Sequence, residues 1–140
     1  MRKFRKEDFE TSFKRFEEKA KKYIDNPKEI NGLLKKALHK ANNKKGSLTE
    51  VWDKLQLFFE LVKAWSKGDY HDISKKTIII IVATVIYFVS PIDLVPDFIV
   101  GLGIFDDVAL IGFTAKQIST ELERFKTWKN NRYIDMNEWK

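Results

Sequence analysis

Thr77-Ile-Ile-Ile-Ile-Val-Ala-Thr-Val-Ile-Tyr-Phe-Val89 decides the fold. Its β-branched composition favours a strand on propensity alone. A strand needs a partner, and no second segment of the chain alternates apolar and polar residues in the manner of one. The run therefore reads as a helix buried nearly all round. Thirteen helical residues span about 20 Å, short of the ~30 Å hydrocarbon layer of a bilayer.

Upstream, three segments carry apolar residues at helical spacing. In residues 5–24, Phe9, Phe13, Phe16, Ala20 and Tyr23/Ile24 form one stripe. Glu10/Lys14, Glu17/Lys21 and Glu18/Lys22 stand one turn apart on the other side. Asn26-Pro27 ends this helix and opens the next, with Pro27 at a first helical position. Residues 27–42 repeat the pattern through Ile30, Leu33, Leu34, Ala37, Leu38 and Ala41, with Lys28, Lys35, Lys36 and Lys40 outside. Ser47-Leu-Thr-Glu50 has the form of a capping box, so a third helix is expected from there to about Lys67, with Gly68 as its stop. Its aromatics Trp52, Phe59 and Trp65 fit core packing better than a recognition surface. Asp72 or Ser74 is expected to cap the apolar helix.

Downstream, Val108, Ile111, Ala115, Ile118, Leu122 and Phe125 predict one helix reaching about Lys129. Asn130–Lys140 lacks periodicity and is expected to be a loose or docking end. The expectation is an all-α single domain over 1–140. About five helices would form a compact bundle around an apolar hairpin at residues 75–128, with basic amphipathic helices over 1–70.

Composition narrows the chemistry. Cysteine is absent, which removes disulfides, thiolate metal sites and thiol nucleophiles. Only His39 and His71 are present, and each stands without partners at ligand spacing. The basic start Met1-Arg-Lys-Phe-Arg-Lys6 is followed by no apolar run and does not read as a secretory signal. The net charge of +6 is concentrated early. Residues 1–50 hold fifteen Lys/Arg against eight Asp/Glu, and no basic residue occurs between Lys76 and Lys116. A basic half beside an apolar, acid-only segment suggests contact with an anionic surface. The cations placed for that contact are Lys14, Arg15, Lys21, Lys22, Lys35, Lys36 and Lys40.

Between the two apolar helices stands Ser90-Pro-Ile-Asp-Leu-Val-Pro-Asp-Phe-Ile-Val-Gly-Leu-Gly-Ile-Phe-Asp-Asp107. Residue by residue it reads as a tightly turned connector. Ser90 is a cap, Pro91 a first helical residue, Pro96 a second punctuation, and Gly101 and Gly103 permit a tight path. Asp106 and Asp107 suit the first turn of the following helix. Taken together, Asp93, Asp97, Asp106 and Asp107 form the alternative: an oxygen-only site for Mg²⁺ or Mn²⁺, as a binding module or a hydrolase. Against it, the segment has no His or Lys to serve as general acid or to bind phosphate. Membrane insertion is limited by roughly 2.5–3.5 kcal/mol for each aspartate at the bilayer centre. A shallow hairpin is admissible, but two clean spans are not.

The elements Ser90-Pro91-Ile-Asp93, Val-Pro96-Asp97 and Gly103-x-x-Asp106-Asp107 resemble the signature of the YkvA-like family, a bacterial and plant domain of unknown function, over about residues 73–113. The resemblance implies a helical module often described as membrane-associated, and no agreed reaction. The leading expectation is a non-catalytic protein of the cytoplasmic side without a cofactor. It would meet a membrane surface or membrane protein through its basic helices and apolar hairpin. Nucleic-acid binding ranks below this, because the aromatics it needs are used in the core.

Overall fold

The computed structural model describes the backbone of residues 6–89 and 107–138, and side chains over 14–89 and 108–131. Six α-helices are present among the described residues: α1 (Lys6–Asp25), α2 (Ile30–Asn43), α3 (Trp52–Ser66), α4 (Lys75–Val89), α5 (Asp107–Gln117) and α6 (Ser119–Glu138). No strand occurs among them. The all-α expectation holds, with one helix more than the five expected.

The β-branched run is α4, and its surroundings explain why helix wins over strand. α1, α2, α3 and α5 all pack against it, and every residue from Ile81 to Phe88 is buried. Tertiary burial of this kind overrides local propensity. Phe16 of α1 meets Tyr87 of α4 edge-on, with ring centroids 5.5 Å apart. The two buried hydroxyls of the α4–α5 contact satisfy each other. Thr84 donates to the Ile80 carbonyl at 2.9 Å, which leaves its oxygen to accept from Thr114 at 3.2 Å. At the other end, the Ser74 hydroxyl accepts from the Thr77 N–H at 3.1 Å. Ser74 is thus the cap of α4, as one of the two residues expected.

α1 buries Phe16 and Ala20 and half-buries Tyr23 and Ile24, while Phe9 and Phe13 lie outside the described side chains. α2 buries Ile30, Leu33, Leu34, Ala37 and Ala41. Leu38 departs from its expected place in the stripe. It is 41% exposed, because it sits one step round the helix from the line through Leu34, Ala37 and Ala41.

The capping box at Ser47 does not form. Lys45–Val51 is a 3-10 turn and α3 starts at Trp52. The hydroxyls of Ser47 and Thr49 donate backwards, to the carbonyls of Lys44 at 2.9 Å and Gly46 at 3.0 Å. Leu48 and Val51 are buried, and α5 lies against this turn. At Gly112 an added Cβ would sit 3.8 Å from Val51 Cγ1. Burial of two apolar residues under α5 sets the backbone path here and outweighs a cap worth about 1 kcal/mol. The stop at Gly68 holds. Its φ is +81°, its N–H bonds to the Trp65 carbonyl at 3.0 Å, and Asp69 N–H bonds to the Ala64 carbonyl at 2.9 Å. That pair of bonds is a Schellman motif.

The single helix expected after the connector is divided at Ile118 into α5 and α6. Backbone bonds from Ile118 to Thr114 and from Leu122 to Ile118, both 3.0 Å, carry the ladder across the junction. Ile111, Ala115, Ile118, Leu122 and Phe125 are all buried, so the stripe is continuous although the helix is not. The segment expected to be loose after Asn130 is helical to Glu138. Extending a helix already held by Ile118, Leu122 and Phe125 costs far less than nucleating one.

Candidate functional site

Two regions carry the residues singled out by sequence: the end of α4 where the signature begins, and the outer faces of α1 and α2. Of the signature, Ser90, Pro91, Asp93, Pro96, Asp97, Gly103 and Asp106 lie outside the described residues. Asp107 is the first residue of α5, in the first turn as expected, and its side chain also lies outside. Among the described residues no three His, Asp or Glu gather in a way that could hold a metal ion.

Lys40 marks the approach to the signature. Its ammonium donates to the Phe88 carbonyl and stands 5.1 Å from the centroid of the Phe88 ring. Phe88 is one of the last four residues of α4, whose carbonyls have no partner within the helix. A cation there also meets the negative end of the helix dipole. The half-buried Lys40 thus joins α2 to the C-terminal end of α4, one residue from Val89. Nothing in the sequence foretold this role, since Lys40 differs from its neighbours only in its angular position on α2.

Lys14, Arg15, Lys21 and Lys22 on α1, and Lys35 and Lys36 on α2, are all exposed. Both helices lay their apolar sides on α4, so these cations point outward. Glu17/Lys21 and Glu18/Lys22 keep their one-turn spacing without closing into ion pairs among the described residues. His39 is exposed, with Asn43 Nδ2 3.3 Å from its Nε2, and His71 is exposed on the α3–α4 connector.

A cluster missed from sequence joins that connector to α6. Tyr70 is buried and packs its ring against Phe125 and Trp128, at centroid distances of 5.0 and 5.1 Å. Its hydroxyl donates to the Asp72 carbonyl at 3.1 Å, and Arg124 lies 3.5 Å from the Asp72 carboxylate. Burial, then the charges of Asp72 and Glu121, push the Tyr70 phenol above its ordinary range, with Arg124 opposing. A phenol held neutral in this way fastens the connector. Nearby, Glu60 and Lys129 pair at 2.5 Å across α3 and α6. Trp52 and Trp65 pack partly buried against the core and Phe59 is buried, as the core reading of these aromatics expects.

α4 and the residues that follow it lie in the part of the chain shared with a known family. Residues 77–113 match the family described as "Protein of unknown function (DUF1232)". The chain is also 34% identical, over 94 residues, to the "Uncharacterized membrane protein YkvA" of Bacillus subtilis (strain 168). The alignment covers 67% of this chain and 85% of that protein. The chain belongs to the YkvA-like family. Its family segment comprises α4, the connector and the first part of α5, whereas the wider likeness extends past that segment. No solved structure matches the chain. The relative's name calls it a membrane protein; in the present chain no helix among the described residues is long and apolar enough to cross a membrane.

Proposed function

We propose that this YkvA-like protein is a non-catalytic helical module that associates peripherally with the cytoplasmic side of a membrane, through the lipid surface or a membrane protein. One observation carries the reading. The most apolar helix is enclosed by the chain's own helices, and two of these, α1 and α2, direct Lys14, Arg15, Lys21, Lys22, Lys35 and Lys36 outward. Apolar α4 is therefore spent on the core. Among the described residues, what remains for a membrane is chiefly charge, with Leu38 and Phe113 the exposed large apolar side chains. Charge attracts an anionic leaflet within about one Debye length, ~10 Å at 0.1 M salt.

Cell fractionation tests the reading. The protein is expected in the membrane fraction at low salt and to be released by high salt or alkaline carbonate without detergent. Recovery wholly outside the membrane fraction at low salt refutes it. Release only by detergent refutes the peripheral part.

A further inference from the structure

Resting on that membrane reading, we infer that the docking face is the outer side of α2 with the turn that follows it. Its ligand is the anionic phospholipid headgroup, with Leu38 entering the boundary between headgroups and acyl chains. From Ile30 to Thr49 the chain contains five lysines, Lys35, Lys36, Lys40, Lys44 and Lys45, and no Asp or Glu. Residues 14–25 of α1 hold five Lys/Arg and three acids, Glu17, Glu18 and Asp25. Along the first set an anionic plane meets no opposing carboxylate. On α1, carboxylates about one turn away offset part of that attraction.

Helical geometry places Lys35 and Lys36 on one face. On α2, Lys35, Lys36 and His39 lie opposite the buried line of Ile30, Leu33, Leu34, Ala37 and Ala41. Lys40 is committed to the Phe88 carbonyl, and Lys45 lies over the Trp52 ring at 5.2 Å. Lys35, Lys36 and Lys44 are exposed, with no carboxylate paired to any of them among the described residues. Leu38 follows Lys35 by one turn on the border of the same face, and its 41% exposure is unusual for a leucine in an otherwise buried stripe. A basic helix face edged by an exposed aliphatic residue fits the lipid–water interface, where apolar contact and headgroup attraction act together. A single-stranded nucleic acid instead needs a row of exposed aromatic rings for stacking. Trp52 and Trp65 are packed partly buried against the core, and the one exposed large aromatic among the described side chains, Phe113, stands on α5 and not on α2.

The test measures binding of the full chain to phosphatidylcholine vesicles with and without one quarter phosphatidylglycerol, at low salt. Each interfacial lysine is worth roughly fivefold in affinity. Lys35→Glu/Lys36→Glu is expected to weaken binding to the anionic vesicles by at least about tenfold. Lys21→Glu/Lys22→Glu, the same charge change on α1, is expected to weaken it by less than about threefold. The chain has no cysteine, so Leu38→Cys gives a unique site for a polarity-sensitive dye. Its emission should shift to the blue on anionic vesicles, whereas the same dye at exposed Thr120→Cys should not respond. Equal losses from the α1 and α2 pairs, or a silent dye at position 38, overturn the α2 face while leaving membrane association standing. A wild-type chain that fractionates with membranes but ignores both vesicles points to a membrane protein and overturns the lipid assignment. Retention on double-stranded DNA without vesicle binding assigns the face to nucleic acid and overturns it as well.

Discussion

α4 and α2 are neighbours of nearly equal length, fifteen and fourteen residues, and they meet water in opposite ways. α4 buries ten of its residues; α2 buries five and presents lysines on the side away from them. The hydrophobic segment of a sequence is commonly taken as the part that seeks a membrane. Here that segment is surrounded by amphipathic partners and supplies the core, while the partner helix holds the exposed lysines of the proposed lipid face. Hydropathy alone does not separate these roles. The apolar stripes on the neighbouring helices do.

That contrast can be broken at graded cost. Phe88→Ala in α4 empties a buried site and should destabilise the protein by about 3–5 kcal/mol, read as a lowered midpoint in urea unfolding. A loss below about 1 kcal/mol would mean that α4 is not the tightly packed centre. Lys40→Met keeps the side-chain stem but leaves the Phe88 carbonyl and ring without their cation. The expected loss is about 1–2 kcal/mol by the same measurement, and it should largely disappear in a Phe88→Ala background if the ring contact dominates. Ser74→Ala removes the acceptor for the Thr77 N–H and should cost about 1 kcal/mol in thermal or urea melts. The smallest effect belongs to α2: Lys35→Gln with Lys36→Gln should alter stability by less than about 0.5 kcal/mol. A large loss there would show that these lysines hold the fold.

Tyr70 offers a separate check on pH. Its raised pKa means that the folded state retains the phenolic proton more strongly than the unfolded chain. The associated stability is complete below the ordinary tyrosine range near pH 10 and is lost as pH rises through the higher folded value. Melting temperature should fall more steeply above about pH 10 in the wild type than in Tyr70→Phe.

Much of this fold was legible because its signals are periodic. The stripe from Ile111 to Phe125 and the line Ile30, Leu33, Leu34, Ala37 are both buried as their spacing predicts. Gly68 was legible because only a glycine readily takes the left-handed turn that ends α3. The 3-10 turn at Lys45–Val51 was not. Ser47 and Glu50 have the right spacing for a cap, and the burial of Leu48 and Val51 beneath a helix sixty residues away decides against it. The division at Ile118 leaves the apolar stripe unbroken, so periodicity carries no trace of it. Of the candidate site, charge and exposure were readable from sequence. Which lysine turns inward was not, since the Phe88 carbonyl that receives Lys40 is forty-eight residues distant.

The enclosure of α4 bears on where the family's shared unit can be cut. Residues 77–113 alone would leave behind α1, α2 and α3, and the flanks of a nearly uncharged rod would be stripped of their covering. Such a fragment would be expected to clump or to cling to detergent, and its stickiness would imitate membrane insertion.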